Sequence, residues 1–255
     1  MTDSLHLVRL VLDRRALARI ATRHRLPQNI DEGYFVHAGL AQLFATSPDP
    51  ASVPLASFAV DDNYAATRGQ PDEIYLLGYS RESDAAIVDR MGPARAEILR
   101  VCKSVAVPAL AAGQQVGFRT RVCPIVRTKV AGDRPLGVDR RGRAKSREHD
   151  AFVHATLGIP KETQVSREVV YVEWLRRQLE ALGACALGDA KLAEFRRDVM
   201  RRKGGEKAME RPNAVMEGTL TVTDPALFQA LLARGLGRHR AFGFGMLLLR
   251  PPGTS

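Results

Sequence analysis

The chain has 255 residues, of which 45% are hydrophobic, so it is long and apolar enough for one large domain or two small ones with buried cores. The formal net charge of +10 indicates a polyanionic partner, either a nucleic acid or an anionic membrane surface. No apolar run approaches the length of a membrane span, and Asp3, His6 and Arg9 interrupt the start, so we expect no membrane segment and no signal peptide and favour nucleic acid.

The first half of the sequence predicts the element order strand, helix, strand, strand, helix, strand. The strands are predicted at residues 5–12, 55–60, 73–80 and 98–107, and the helices at about 31–44 and 82–90. A polar loop is predicted to join the second and third strands. This order is that of the ferredoxin-like unit, which is also the scaffold of RNA-recognition modules.

The second half repeats this order after a boundary rich in Ala, Gly and Pro. Strands are predicted at 115–126, 192–202, 208–222 and 246–249, and helices at 166–182 and 224–233. The basic segment 127–147 interrupts the unit; it is predicted to be either a solvated face or an arm that orders on RNA. We therefore predict an α+β chain of tandem ferredoxin-like (RRM-like) domains, at residues 1–110 and 114–255.

Residues 235–245 place two glycine pairs around a basic tripeptide. The residues are Gly235, Gly237, Arg238, His239, Arg240, Gly243 and Gly245. Glycine permits positive φ, and successive free N–H groups in such a loop can form a concave anion site. The stretch predicts a cradle for a phosphate backbone, although it matches neither a P-loop nor a dinucleotide fingerprint. The alternative is a flexible connection between a helix and a strand.

Tyr34 and His37 are three residues apart on the first predicted helix, so their side chains project from one face. An imidazole exchanges protons near neutral pH, and a phenol can donate a hydrogen bond to a phosphate. The alternative is that both residues only pack. The three cysteines are scattered without a Cys-x-x-Cys pair, so we predict neither a metal nor another cofactor, and a reducing cytoplasm fits this pattern.

A basic hairpin tip is predicted between the two long strands of the second half. Arg201, Arg202 and Lys203 form the tip, and Arg196 and Arg197 precede it on the strand. RNA hairpins are recognised largely by shape and phosphate contacts, which a basic hairpin can supply by following a groove. These five residues are therefore predicted to bind RNA.

This combination resembles the CasE family, the CRISPR repeat-processing endoribonucleases of type I-E Cascade. The similarity lies in Tyr-x-x-His at 34–37, in segments 119–124 and 173–179, and in the stretch from 218 to 250 with its glycine loop. The glycine loop and its flanks are the specific part, whereas Tyr-x-x-His alone is weak. Residues 47–107 do not align with the family, and segment 128–164 is longer than expected.

The resemblance implies a protein that binds the stem-loop of a CRISPR repeat in precursor RNA. It would cut once at the base of the stem without a metal, by attack of the ribose 2′-OH, and stay bound to the mature crRNA beside other Cascade subunits. His37 would transfer a proton, and Tyr34 would hold the ribose or the scissile phosphate. Two alternatives remain: a non-cleaving RNA-binding subunit of a Cascade-type complex, and a structural RNA-binding protein outside CRISPR.

Overall fold

The computed structural model describes residues 4–23, 32–45, 53–131, 134–135, 137–138, 142, 147–200 and 209–253. The predicted hairpin tip, Arg201, Arg202 and Lys203, lies outside the described residues. No helix within the described ranges is both long enough and apolar enough to cross a membrane.

The described residues form β-strands, α-helices and two short 3₁₀ turns. The strands are β1 (His6–Asp13), β2 (Phe58–Val60), β3 (Glu73–Ser80), β4 (Leu99–Ala106), β5 (Gln115–Val122), β6 (Ile125–Thr128), β7 (Val130–Ala131), β8 (Arg134–Pro135), β9 (Arg147–Asp150), β10 (Cys185–Met200), β11 (Met209–Val222) and β12 (Leu247–Arg250). The helices are α1 (Arg14–Arg23), α2 (Glu32–Leu43), α3 (Asp62–Arg68), α4 (Asp84–Asp89), α5 (Arg95–Ile98), α6 (Ala151–Thr156), α7 (Arg167–Glu180) and α8 (Pro225–Arg234). The 3₁₀ turns are Lys161–Thr163 and Arg240–Phe242.

Two four-stranded antiparallel sheets have the same internal strand order. The first sheet runs β2-β3-β1-β4 and the second runs β10-β11-β5-β12. In both sheets the first strand of the half lies between the third and the fourth, which is the ferredoxin-like order. The predicted tandem ferredoxin-like fold is therefore confirmed.

One face of the first sheet is buried against helices because alternate residues of its central strand are apolar. Val8, Leu10 and Leu12 alternate along β1 and pack with buried side chains of α1 and α2. Leu5 packs instead in the core of the second half. Burying one such side chain contributes about 1.5–3 kcal/mol, so β1 contributes to the stability of the first half, and Leu5, just before it, contributes to that of the second.

Tyr79 joins the two halves directly. It lies in β3 of the first sheet, yet its ring is buried in the core of the second half. Its hydroxyl donates a 3.0 Å hydrogen bond to the carbonyl oxygen of Leu247 in β12. The Tyr79 ring packs in the core of the second half and its hydroxyl is hydrogen-bonded to the same half, so this one side chain fixes the position of the two halves relative to each other.

Several predicted boundaries were wrong, each for a local reason. Helix α1 was not predicted, although Ala16, Leu17 and Ile20 form its buried stripe. Helix α3 occupies part of the predicted loop between β2 and β3. β5 ends at Val122 because Pro124 has no N–H for the ladder, and β6 pairs with β9 instead.

The long hairpin and its supporting helix also differ from prediction. β10 starts at Cys185 rather than near 192. A register shift after Leu187 interrupts the alternation of apolar and polar residues, so the first residues of the strand could not be recognised from the sequence. The helix predicted at 166–182 is α7 (Arg167–Glu180), in which Tyr171 is buried and Val169 is 56% exposed.

Candidate active site

Helix α2 presents Tyr34 and His37 on its partly exposed side. Gly33, Val36 and Leu40 are buried, and Val36 and Leu40 pack in the core of the first half, which holds the helix against the first sheet. The two rings lie edge to face, with centroids 6.3 Å apart. The predicted pairing of a phenol and an imidazole on one helix face is therefore present in the structure.

Phe242 of the second half completes a three-ring cluster with these two residues. Its ring stacks on Tyr34 at 5.3 Å with an interplanar angle of 1°, and it meets His37 edge-on at 4.8 Å. Such aromatic pairs each contribute about 0.5–1.5 kcal/mol beyond area burial. The cluster joins helix α2 to the 3₁₀ turn Arg240–Phe242 and so restricts where the imidazole can lie.

The environment of His37 favours its neutral form. Burial lowers the pKa of His37 from its ordinary value of 6.5, since the charged imidazolium loses solvation. The neutral ring has one nitrogen that accepts a proton and one that donates, so at neutral pH His37 is able to take a proton from a hydroxyl.

The four glycines of the loop take the predicted positive φ, but not the predicted role for their N–H groups. Their φ angles are 75° at Gly235, 68° at Gly237, 80° at Gly243 and 82° at Gly245. The N–H of Gly235 donates to Leu231, that of Gly243 to Arg240 and that of Gly245 to Arg121. The prediction of free N–H groups for a phosphate is therefore wrong at these three positions, because the loop closes on the protein itself.

The loop also packs between the two halves. A Cβ added at Gly235 would meet the Ser57 hydroxyl oxygen at 2.5 Å, and one added at Gly243 would meet the Phe58 ring at 3.1 Å. Both contacts are with the first half, at the start of β2. The glycines thus allow the loop to approach the first half closely, and the His239 ring centroid lies 6.4 Å from that of Phe242.

His239 adopts a left-handed backbone conformation at the centre of the loop, with φ 60° and ψ 25°. It is the one non-glycine residue with positive φ in the described part of the chain. Its carbonyl oxygen accepts the N–H of Phe242 at 2.8 Å, which closes the 3₁₀ turn. Left-handed non-glycine residues persist only where their surroundings enforce them.

Glu148 of β9 gathers four cationic or potentially cationic side chains, and we name this group the Glu148 cluster. Its partners are Arg211 at 2.8 Å, Arg238 at 3.3 Å, His239 at 3.5 Å and Arg127 at 3.8 Å. The His239 ring, followed by Arg211 and Arg238, outweighs burial and lowers the pKa of Glu148 from 4.5 to about 2. The carboxylate therefore stays charged across the physiological range.

The lowered pKa of Glu148 predicts a pH-dependent contribution to stability. A carboxyl group with a lowered folded-state pKa stabilises the fold above its unfolded value and loses that contribution as the pH falls from 4.5 towards 2. We expect Glu148→Gln to lower the free energy of unfolding by about 3 kcal/mol at neutral pH. Urea titrations at decreasing pH should show the wild type and the variant converging; a difference independent of pH would contradict the assignment.

The other predicted RNA contacts lie beside acidic partners or a carbonyl group. Arg196 is 3.0 Å from Asp198, and Arg197 is 3.2 Å from Glu210. Arg240 donates a 2.7 Å hydrogen bond to the Arg234 carbonyl oxygen at the end of α8. The structure thus places the His239 ring 6.4 Å from that of Phe242, with Arg238 beside Glu148 and Arg240 at the end of α8, whereas Arg196 and Arg197 lie on the long hairpin.

Two residues of the site carry no predicted role in the sequence. Phe242 lies within the glycine stretch, and an aromatic residue between glycines was the one sequence feature that could have indicated its role in the site. Glu148 lies at the end of a basic segment, and nothing in its local sequence indicates that cations from three other segments converge on it. Within the described residues, no three His, Cys, Asp or Glu side chains form a group that could hold a metal ion.

Comparisons with known proteins identify the family. The CRISPR-associated endoribonuclease Cse3 of Thermus thermophilus is 30% identical over 153 residues, which are 56% of this chain and 59% of that relative. The structure of CRISPR endoribonuclease Cse3 bound to a 19-nucleotide RNA superimposes with a TM-score of 0.62 at 22% identity, covering 97% of this chain and 100% of that one. Cas6e of Escherichia coli str. K-12 superimposes with a TM-score of 0.58 at 23% identity, covering 96% and 99%. The family described as CRISPR associated protein matches residues 5–251, and the chain therefore belongs to that family.

Proposed function

We propose that the protein is a metal-independent endoribonuclease that binds the stem-loop of the CRISPR repeat in precursor crRNA and cleaves at the base of the stem. The observation that carries this proposal is the cluster of Tyr34, His37 and Phe242, with Arg238 and Arg240 on the adjoining loop. The relative Cse3 is named an endoribonuclease, and a Cse3 structure holds RNA. These likenesses support the same activity here.

The chemistry assigned to this site is attack by the ribose 2′-OH on the adjacent phosphate. The new bond joins the 2′ oxygen to phosphorus, and the bond to the 5′ oxygen of the next nucleotide breaks. The products are a 2′,3′-cyclic phosphate and a 5′-OH. The 2′-OH loses a proton and the leaving oxygen gains one, and His37 supplies one of these transfers, a contribution of about 10²–10⁴-fold. Tyr34 holds the ribose or the scissile phosphate.

The basic residues supply phosphate contacts in this proposal. Arg238, His239 and Arg240 bind the backbone near the cut, while Gly235, Gly237, Gly243 and Gly245 shape the loop that presents them. Arg196 and Arg197, with Arg201, Arg202 and Lys203, follow the stem. The ion pairs of Arg196 and Arg238 leave both side chains about half or more exposed, at 67% and 47%, so a phosphate can reach them.

The family supports a proposal for the cellular setting. We place the protein in the cytoplasm, where it stays on the mature crRNA beside other Cascade subunits. We also propose that residues 1–110 and 114–255 are two domains, the first carrying the catalytic helix and the second carrying the glycine loop and the basic hairpin.

A labelled repeat hairpin of the host, incubated with the protein in excess EDTA, tests the function. We expect a single cut at the base of the stem with cyclic-phosphate and 5′-OH ends, and no cut when the nucleotide before the scissile phosphate is 2′-deoxy. A 2′-deoxy substitution elsewhere in the stem is the matched control. Binding without cleavage would indicate the non-cleaving subunit, and equal binding of unrelated hairpins would indicate a general RNA-binding protein.

A further inference from the structure

The Glu148 cluster joins three parts of the second half that are separate in sequence. Glu148 lies in the β6–β9 hairpin with Arg127, Arg211 lies in β11, and Arg238 and His239 lie in the glycine loop. The carboxylate side chain is only 12% exposed, so its interactions are weakly screened by solvent. One acidic group therefore fixes the relative position of a strand, a hairpin and a loop.

A short chain of contacts leads from this carboxylate to His37. Glu148 faces the imidazole of His239, whose backbone is left-handed. The His239 carbonyl oxygen accepts the N–H of Phe242, and the Phe242 ring lies 4.8 Å from His37. The conformation of His239 thus sets where Phe242 lies, and Phe242 limits where His37 can lie.

Apolar contacts at the start of the β6–β9 hairpin also hold the glycine loop in place. Cys123, Ile125 and Phe244 form a small buried cluster, and Phe242 packs against it. Trp174 of α7 donates a 3.1 Å hydrogen bond to the Ile125 carbonyl oxygen, and a Cβ added at Gly237 would lie 3.2 Å from the Trp174 ring. The apolar contacts hold the glycine loop at Gly237 and Phe242, and the Glu148 cluster holds it at Arg238 and His239.

We propose that Glu148 is a positioning residue for RNA cleavage, which holds the glycine loop in the conformation that sets Phe242 against His37. This inference rests on the proposed function for its effect on cleavage. The β6–β9 hairpin, whose strands flank the basic segment, would then help to position the active site through Glu148. Glu148 itself touches neither His37 nor the reacting atoms in this assignment.

Glu148→Gln keeps the side-chain size and removes the charge. We expect its single-turnover cleavage rate at saturating RNA to fall by about 10- to 100-fold because the site loses its alignment. RNA affinity should not fall, since the variant removes a negative charge beside the phosphate path. Glu148→Asp should recover part of the rate.

Glu217→Gln is the matched control. Glu217 is also 12% exposed and is surrounded by Arg119, Lys191 and Arg250, but it pairs with no residue of the glycine loop among these contacts. We expect the cleavage rate of Glu217→Gln to stay at the wild-type level. The proposal is overturned if Glu148→Gln cleaves at the wild-type rate, or if both variants lose the same share of the rate.

Trp174 gives a readout that does not depend on cleavage. It is the one tryptophan of the chain, and its ring lies against the glycine loop at Gly237. Quenching of its fluorescence by acrylamide should increase in Glu148→Gln and not in Glu217→Gln. Unchanged quenching in Glu148→Gln overturns the proposal even if cleavage is slow. A wild type that does not cleave refutes the proposed function, while the quenching still decides whether Glu148 holds the loop.

Discussion

His37→Ala is expected to abolish cleavage of the repeat hairpin while leaving its binding intact. The imidazole is the proton-transfer group of the proposed reaction, and its loss should cost about 10²–10⁴-fold in the single-turnover rate. The basic residues that bind phosphate lie on the loop and on the hairpin, so affinity should be retained. Single-turnover cleavage in EDTA, together with filter binding of the same hairpin, measures both quantities.

Two further variants separate chemistry from packing. Tyr34→Phe keeps the ring that stacks on Phe242 and removes only the hydroxyl, so any loss of rate reports the hydroxyl. His154→Ala removes an exposed histidine of α6 and should cleave like the wild type. Cleavage that survives in His37→Ala would move the proton transfer to another group, with His239 as the next candidate.

Gly245→Ala should be the most destabilising single methyl addition in the glycine loop. Gly245 has a φ of 82°, and an added Cβ would lie 1.9 Å from the carbonyl oxygen of Leu236. The backbone would have to move, which would break the 2.7 Å hydrogen bond from the Leu236 N–H to the Gly245 carbonyl oxygen. Conformational strain and overpacking together should lower the free energy of unfolding by about 3 kcal/mol or more, measured by urea titration.

Gly253→Ala provides the control for this substitution. Gly253 has a φ of 84°, nearly the same as Gly245, but an added Cβ meets nothing within 4 Å. The free energy of unfolding of Gly253→Ala should therefore fall only by the cost of holding alanine at a positive φ, about 1 kcal/mol. Equal losses in the two variants would show that the close contact with Leu236 is relieved by a small adjustment of the loop.

The sequence was informative where the signal is local. The strand predicted at 73–80 is β3 (Glu73–Ser80), because its apolar residues are bounded by polar turns. Asp224 caps α8 by accepting the N–H groups of Ala226 and Leu227, as a Thr-Asp-Pro start predicts. The repeated element order was therefore enough to predict the fold.

The sequence was uninformative where the determinant is a contact between distant segments. The stacking of Tyr34 on Phe242 joins the two halves, and no periodicity in either segment encodes it. The cations around Glu148 are likewise assembled by the fold. The free N–H groups expected in the glycine loop are used internally because Gly245 bonds to β5 and to Leu236, a pairing that local composition does not reveal.

The three-ring cluster has a consequence for the order of folding. Tyr34 and His37 come from the first half and Phe242 from the second, so the cluster depends on contacts between residues far apart in sequence. Contacts of high sequence separation form late, after the entropy of closing the intervening chain has been offset by other structure. A partly folded chain with only one sheet formed would hold His37 without its aromatic partner. If the proposed function is right, cleavage should therefore appear only in molecules in which both sheets have formed.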